Sequence, residues 1–495
     1  MNELYSSLGF QEHPFARFSA EEENSYLNKI YVTPQYYPTI VSDICAGTSR
    51  FIFGARGIGK SALLYTLISD LENKNVLPIF IDDYSEIPLH NNERELLVLT
   101  LQKLTTYFGV LLLKNKESIR KLNKQDKEIL GIAIQTFFVT LSKRQFGELY
   151  DKTSHIKATN ILKKFFNWFL LRPINTIISS GSEVVSTTIA QSLGLNVDPS
   201  PAVYREYIPE MKEHTLNPKV DLNEFDVSSI KRLLSDLCNI IRKIGFANVA
   251  IIFDKIDENA NLGMQLNNVT GFVGDIMRDT ALLLNNSYSF VFSIISACRD
   301  PLRNAGVRYD KLKPIDITWS DDELMRIINY RLVHFSNGKI TSLWNIVSEK
   351  HKQDILSLAS QSPRQLLILL SKVYDEQAGM ECTATAICDD AVKQGLLNYA
   401  KNFDFVTYYV GSNAKSISRC VKELLQVNKI EFGSKDLVAE FKISTQAANQ
   451  KIQLMLSYDL IEDITVGSHT KTYEVKDSRI KYRICLNNLT KDMQA

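Results

Sequence analysis

The sequence predicts an α/β fold: a mostly parallel sheet interrupted by a large helical insertion, then an all-helical segment, then a small C-terminal domain. Three observations predict it. Short runs rich in Val, Ile and Phe recur at 50–53, 76–82, 249–253, 289–296 and 314–319, and helical patterns separate them, as parallel strands with crossover helices require. Residues 84–247 and 320–400 carry helical periodicity instead. Residues 412–485 then switch to helix, helix-turn-helix and hairpin, the layout of a winged helix.

The composition bounds the rest. With 495 residues, 45% hydrophobic and 23% charged, the chain is an ordinary globular one with material for two to four domains. A net charge of +1 excludes a global pull toward nucleic acid or membrane, so any such surface is local. Seven scattered cysteines show no zinc spacing and read as reduced thiols. Residues 1–10 lack the basic and apolar regions of a signal peptide, so the expectation is a cytoplasmic protein. The most apolar stretch, 161–178, is broken by Lys163, Lys164, Asn167, Arg172, Pro173 and Asn175, and reads as a buried helix ending near Pro173 rather than a membrane span.

In chain order, residues 1–47 form a loop-rich lead-in with one short helix at 35–46. The first strand runs into Gly54-Ala55-Arg56-Gly57-Ile58-Gly59-Lys60-Ser61, the phosphate-loop spacing G-x-x-x-x-G-K-[S/T]. Its glycines let backbone N–H groups converge on phosphate oxygens, Lys60 supplies a point charge, and the Ser61 hydroxyl suits Mg²⁺. A helix from Ala62 follows and aims its positive end at the same place. The pattern implies a nucleoside triphosphate, and the aromatic and apolar side chains of the lead-in suit a cover for the adenine.

Strand 249–253 ends in Asp254-Lys255-Ile256-Asp257-Glu258. An apolar strand ending in Asp suits Mg²⁺ coordination at Asp254, and Asp257 and Glu258 are the candidates for orienting an attacking water. Strand 289–296 leads to Arg299, the candidate reader of a γ-phosphate. Arg303 and Arg308 are either arginine fingers toward a neighbouring subunit or surface ion pairs. Insertion 84–247 reads as helices, among them 93–113 and 227–244, with a loop at 181–209. Ser320 and Glu323 form a capping box for a helix at 324–335, and helices follow at 364–374 and 384–400. Gln361-Ser362-Pro363-Arg364 opens the second, placing Arg364 as a phosphate contact beside Pro363.

In the last segment, helices are expected at 416–427, 434–441 and 445–457, and strands at 460–466 and 472–475. Thr445, Gln446, Asn449, Gln450 and Gln453 are candidates for reading base edges of DNA, with Lys471, Lys476, Arg479, Lys481 and Arg483 on or after the wing for phosphates. Ile452, Leu454, Leu456 and Leu460 read as core. The expected domains are 1–47, 48–320 with its insertion, 321–400 and 401–495.

Taken together, these signals resemble the P-loop ATPases that join the AAA+ and STAND classes, including origin-recognition-type initiators and bacterial defence ATPases. The resemblance rests on Pro14-Phe15…Glu22 before the phosphate loop, on Asp254-Lys255-Ile256-Asp257-Glu258 (similar to the STAND pattern D-G-h-D-E), on Trp319-Ser320-Asp321-Asp322-Glu323-Leu324 and on Ser362-Pro363-Arg364. It implies ATP and Mg²⁺ between an α/β core and a helical lid, with Asp254 serving the metal and Asp257 the water. It implies hydrolysis to ADP and phosphate coupled to double-stranded DNA, with a role in antiphage defence. The alternative it implies is a sensor that binds ATP, forms a homo-oligomer and recruits a protein effector with little turnover. Lys255 departs from the small residue usual at its position, which bears on hydrolysis and not on binding.

Overall fold

The computed structural model describes residues 3–141, 144–145, 148–149, 186–195, 203, 225–263, 265–409, 414–465 and 471–492. The chain forms two compact units. One comprises Gln35–Phe53 and Leu64–Asp316, the other Met1–Pro34, Gly54–Leu63 and Ile317–Ala495.

The first unit is built on a five-stranded sheet of β1 (Arg50–Gly54), β2 (Val76–Ile81), β3 (Asn248–Phe253), β4 (Ser289–Ile295) and β5 (Ile315–Asp316). Its order is β2-β3-β4-β1-β5, with β2–β3, β3–β4 and β1–β5 in parallel register. Every residue of β3 and β4 is buried, which is why both read as continuous apolar runs rather than alternating ones. Phe253 stacks on Phe292 across the two strands, ring centroids 4.9 Å apart.

The helices of this unit include α1 (Tyr37–Cys45), the body of α2 (Lys60–Asn73), α3 (Glu93–Lys114), α4 (Lys124–Phe137), α5 (Ser186–Ser192), α6 (Val227–Ile244), α7 (Leu266–Arg278) and the short α8 (Arg299–Asn304). In the insertion, α3 and α4 pack on each other and each packs on α5 and α6, while α3 also covers β2 and α6 covers β3. α6 buries Ile230, Leu233, Leu234, Leu237, Ile241 and Ile244, the i, i+3, i+4 stripe its sequence displays. The loop expected at 181–209 is corrected by α5, whose apolar Ile189 and Ala190 are fully buried. The helix expected within 161–178 lies outside the described residues. α3 is long and apolar enough to cross a membrane by length and composition, but most of it is buried in this bundle.

In the second unit the lead-in forms one-turn helices at Leu4–Ser7, Ala20–Glu23 and Leu27–Ile30. It is pinned by Arg331, which bridges buried Glu23 and donates to the backbone oxygens of Pro14 and Arg17. Arg331 belongs to α9 (Asp321–Phe335), whose N-terminus carries the expected box: Ser320 N donates to Glu323 Oε2 at 2.9 Å and Glu323 N to Ser320 Oγ at 3.3 Å. α10 (Lys352–Ala359), α11 (Pro363–Met380) and α12 (Asp389–Lys401) follow. Helix α12 starts five residues later than the expected 384, after Cys388. The fifth strand is also shorter than expected, because Trp319 leaves the sheet pattern and its indole donates to Ile58 O at 2.7 Å.

The C-terminal domain contains α13 (Ala414–Val427), β6 (Glu431–Phe432), α14 (Ser434–Phe441), α15 (Thr445–Ser457), β7 (Ile461–Asp463), β8 (Tyr473–Val475) and α16 (Ser478–Asp492), with an antiparallel sheet in the order β6-β8-β7. The turn between α14 and α15 is set by Lys442, left-handed at φ 50°, and by Ser444, whose Oγ accepts from Ala447 N. Ile417, Leu424, Leu437, Ile452, Met455 and Val475 fill its core. Leu454, expected inside, is 37% exposed, because the helical period turns Ile452 and Met455 inward instead. Strand β6 and helix α16 were not among the expected elements. α16 packs on α10, α12, α13 and β8, so it joins the winged helix to the preceding helices.

Candidate functional site

The phosphate loop is wound by its glycines. Gly57 has φ +76°, and a Cβ there would lie 3.0 Å from Ser362 Oγ and 3.1 Å from Arg364 Cβ; Gly59 has φ +97°. Lys60 Nζ donates to the carbonyls of Gly54 and Ala55 at 3.1 and 3.3 Å, folding back along the loop. Lys60, Ser61 and Ala62 open the fourteen-residue α2, where first-turn N–H groups lack helical acceptors and attract anions. A loop with two left-handed glycines, a lysine and a hydroxyl at a helix N-terminus fits a magnesium-bound triphosphate.

Residues distant in sequence close on this loop. Ser362 caps α11, its Oγ accepting from Gln365 N at 3.3 Å and donating to Gly57 O at 3.1 Å. Arg364 N donates to Gly57 O at 3.3 Å, and its Nε to Phe18 O of the lead-in at 3.3 Å. Two consecutive left-handed residues, Ser360 (φ 49°) and Gln361 (φ 57°), turn the chain into this position, with Pro363 at the first turn of α11. On the other side, buried Ile58 gives its carbonyl to Trp319. Arg56 Nη1 donates to Thr407 O at 3.2 Å, beyond the end of α12. A cleft of about 330 Å³ lies alongside, lined by Arg56, Arg364, Lys372, Tyr399, Phe403 and Tyr408. Trp319 and Ser362 are the contacts that sequence reasoning missed as site residues; a motif at each was visible, but not which loop carbonyl it would hold.

The acidic candidates belong to the sheet unit. Asp254 directly follows β3 and is 1% exposed; its N donates to Ile81 O at 3.0 Å. The buried hydroxyl of Tyr84 lies 2.8 Å from Ile81 O and 2.9 Å from Asp254 O, and burial raises its pKa well above the usual phenol value. Tyr84 thus fixes the backbone on which Asp254 is carried, a role its sequence position did not signal. Lys255 is left-handed at φ 58°, with Nζ 3.7 Å from Asp82. After it, Ile256–Glu258 makes a single 3₁₀ turn that buries Asp257 (3% exposed) and leaves Glu258 exposed.

Arg299 begins α8 after β4. Its Nη1 meets Asp316 Oδ2 at 2.6 Å, and its guanidinium carbon lies 5.9 Å from the Phe53 ring centroid. Arg303 bridges Asp300 at 2.9 Å, and Arg308 grips Asp310 with two bonds of 2.8 and 2.7 Å, holding that carboxyl down at about 2.

In the winged helix, Thr445, Gln446, Asn449, Gln450 and Gln453 are all exposed on α15. The wing cations require correction. Arg479 is 2% exposed, bound to Asp477 through Nε at 3.0 Å, and packed with its guanidinium carbon 3.9 Å from the Phe403 ring centroid and 4.4 Å from that of Tyr408. Arg479 is therefore part of the junction with the segment that follows α12, not of a nucleic-acid surface. Lys471, Lys476 and Lys481 each face a carboxylate, namely Asp463, Asp459 and Glu474. Arg483 is half-buried. The wing tip at 467–469 lies outside the described residues.

No protein-family model matches the sequence, and no curated protein matches it. Among solved structures, the chain is similar to the Aeropyrum pernix ORC2 protein in its ADPNP–ADP complexes, at 10% identity and a TM-score of 0.41, covering 98% of this chain and 100% of that one. It is similar to the Aeropyrum pernix ORC1 protein in complex with DNA, at 10% identity and 0.35, covering 99% and 98%. It is also similar to the Thermotoga maritima RuvB Holliday junction branch migration motor, at 12% and 0.23, covering 51% and 82%.

Proposed function

We propose that this chain is an ATP-binding switch of the AAA+/STAND kind whose nucleotide state governs engagement of double-stranded DNA by the winged helix. The observation that carries the reading is the clasp on the phosphate loop: Ser362 and Arg364 on Gly57, Trp319 on Ile58, and Arg56 on Thr407. A loop that binds a triphosphate and is bonded to the segment leading into the winged helix has a physical route from ligand to output.

In this reading the loop N–H groups and Lys60 bind the triphosphate, and Arg364 senses its outer phosphate. Ser61 and Asp254 hold Mg²⁺, which supplies charge neutralisation on the phosphate oxygens. Asp257 orients water, with Glu258 as its alternative, and Arg299 exchanges Asp316 for the γ-phosphate. Lead-in residues cover the adenine. Hydrolysis resets α9–α12 and with them the winged helix. Antiphage defence and a cytoplasmic, oligomeric setting extend the reading by family analogy alone.

A second reading, a sensor that binds ATP, oligomerises and recruits an effector with little turnover, is favoured by Lys255, a long side chain in left-handed geometry between the candidate metal ligand Asp254 and the candidate water-orienting Asp257. Binding of a fluorescent duplex at low salt, with and without ATP and Mg²⁺, separates the two. Saturable binding that depends on nucleotide supports the first. No binding at low salt with ATP present, together with an ATP-driven rise in particle mass, selects the second.

A further inference from the structure

Left-handed backbone marks where this chain is held against its own preference. Among the described residues, nine residues other than glycine have positive φ. Five of them are Asn or Asp, whose short polar side chains tolerate it, while Ser360 (φ 49°) and Gln361 (φ 57°) form the one adjacent pair. Neither Ser nor Gln favours that conformation, and a helix that ends this way ordinarily uses glycine. The Gln361 side chain is exposed, so burial does not offset the strain. Such a pair persists only where the surrounding structure over-determines it.

Two contacts do so, one at each end of the turn. Ser362 Oγ donates to Gly57 O of the phosphate loop at 3.1 Å, and Ser360 Oγ lies 3.0 Å from Ser478 Oγ. Ser478 is the first residue of α16, whose Ile480 and Ile484 are fully buried in the core of the winged helix. A turn of three residues thus touches the phosphate loop with one hydroxyl and the winged helix with another. The same turn joins two helices: Ser362 N donates to Ala359 O at 3.0 Å, closing α10, and Ser362 Oγ accepts from Gln365 N, opening α11. A cavity of about 540 Å³, whose walls include Ser357, Ser360, Gln361, Asp459, Lys476 and Ser478, lies beside the turn and leaves it room to change conformation.

We propose that Ser360–Ser362 is a strained lever that carries the state of the phosphate loop to α16. The inference rests on the ATP reading above, not on the DNA reading, and names the part that moves. With both hydroxyl contacts made, the lever is loaded, and the backbone of Ser360 and Gln361 bears the strain. Arg364 N shares the Gly57 carbonyl with Ser362, so a phosphate that draws in Arg364 displaces the start of α11 from the loop. The turn then leaves its left-handed pair, and Ser360 parts from Ser478 at the start of α16. The hydroxyl contacts favour the loaded form and the backbone favours the released one, which makes the turn two-state rather than merely stiff.

The test is backbone hydrogen exchange of the full chain with and without ATP and Mg²⁺, alongside titration of ATP. In the wild type, ATP is expected to speed exchange at 357–366 and at 478–486 by about 5-fold or more. Ser478→Ala removes the link but not the helix cap, because Asp477 Oδ1 accepts from Ile480 N. It is expected to bind ATP as tightly as wild type or a few-fold more tightly, and to keep the response at 357–366 while losing the one at 478–486. Ser478→Thr restores that response, and Ser360→Ala reports the same link from the other side should Ser478→Ala not fold. Gln361→Gly favours the loaded form and is expected to weaken ATP binding by about 5-fold. A wild type that binds ATP without change at 478–486, or a Ser478→Ala or Ser360→Ala variant whose α16 responds as the wild type does, overturns the lever and leaves the ATP reading standing. Equal or tighter ATP binding by Gln361→Gly also overturns it. No ATP binding by the wild type overturns both.

Discussion

The guanidinium of Arg56, in the loop that joins β1 to α2, donates to the main-chain oxygen of Thr407, 351 residues further along the chain. Thr407 sits in a one-turn helix, Phe405–Tyr408, capped by Asp404, and the neighbouring Tyr408 ring lies under the buried Arg479 at the root of α16. The phosphate loop is therefore two contacts away from the winged helix. If this is the route of coupling, Arg56→Ala keeps ATP affinity within a few-fold. It also abolishes the effect of ATP on duplex affinity, an effect expected at about 5- to 150-fold in the wild type. Arg56→Lys retains charge but not the planar fork and falls between them. Duplex titrations with and without ATP measure the ratio; an unchanged ratio in Arg56→Ala removes this contact from the route.

Burial separates the two carboxylates that sequence left as alternatives. Asp257 is held inside its 3₁₀ turn, whereas Glu258 faces solvent. A buried carboxylate has fixed geometry, which positioning a water demands. Asp257→Asn should leave ATP affinity intact and lower kcat by about 100-fold or more, while Glu258→Gln changes it little. Steady-state phosphate release decides; the reverse ranking transfers the role to Glu258.

Lys255 occupies a backbone conformation that costs a non-glycine residue about 1–2 kcal/mol. Lys255→Gly relieves that strain but frees the unfolded chain, so stability should move by less than about 1 kcal/mol. Lys255→Ile keeps the strain, adds a β-branch and should cost about 1–2 kcal/mol. Chemical denaturation compares them. A Gly variant that is much less stable than wild type would show that the ion pair with Asp82 outweighs the backbone term.

The lead-in carries a pH-sensitive contact. His13 stacks on Tyr374 at 3.8 Å and accepts Phe15 N at its Nδ1. Burial, with Arg331 adding to it, lowers its pKa below the ordinary 6.5, although Asp375 opposes the shift. The folded state thus prefers the neutral ring. Its contribution is complete above about pH 6.5 and is lost as pH falls through the lower folded value. Thermal stability of the wild type should decline over that interval more than that of His13→Gln; parallel profiles would exclude His13 as the source.

Much of the fold was legible because its signals were strong. The apolar runs of β1 to β4, the α6 stripe and the Ser320–Glu323 box all lie within one or two residues of where periodicity and capping put them. The winged helix was legible to the turn, since Lys442 and Ser444 mark it. What escaped was tertiary. Nothing in the spacing of Arg479 distinguishes a wing cation from one neutralised two residues away by Asp477 and enclosed by Phe403 and Tyr408. At the loop, the glycines and Lys60 were plain, but the partners of Gly57 and Ile58 lie some 260 to 305 residues away and only folding pairs them.

The central claim is that Gly54–Ser61 binds ATP, and titration of ATP with Mg²⁺ into the full chain tests it most directly. The wild type should bind saturably with one site per chain. Lys60→Ala should lose affinity by roughly 30-fold or more, the consequence of removing the charged partner of the triphosphate. Equal binding by wild type and Lys60→Ala, or no binding by either, would contradict it.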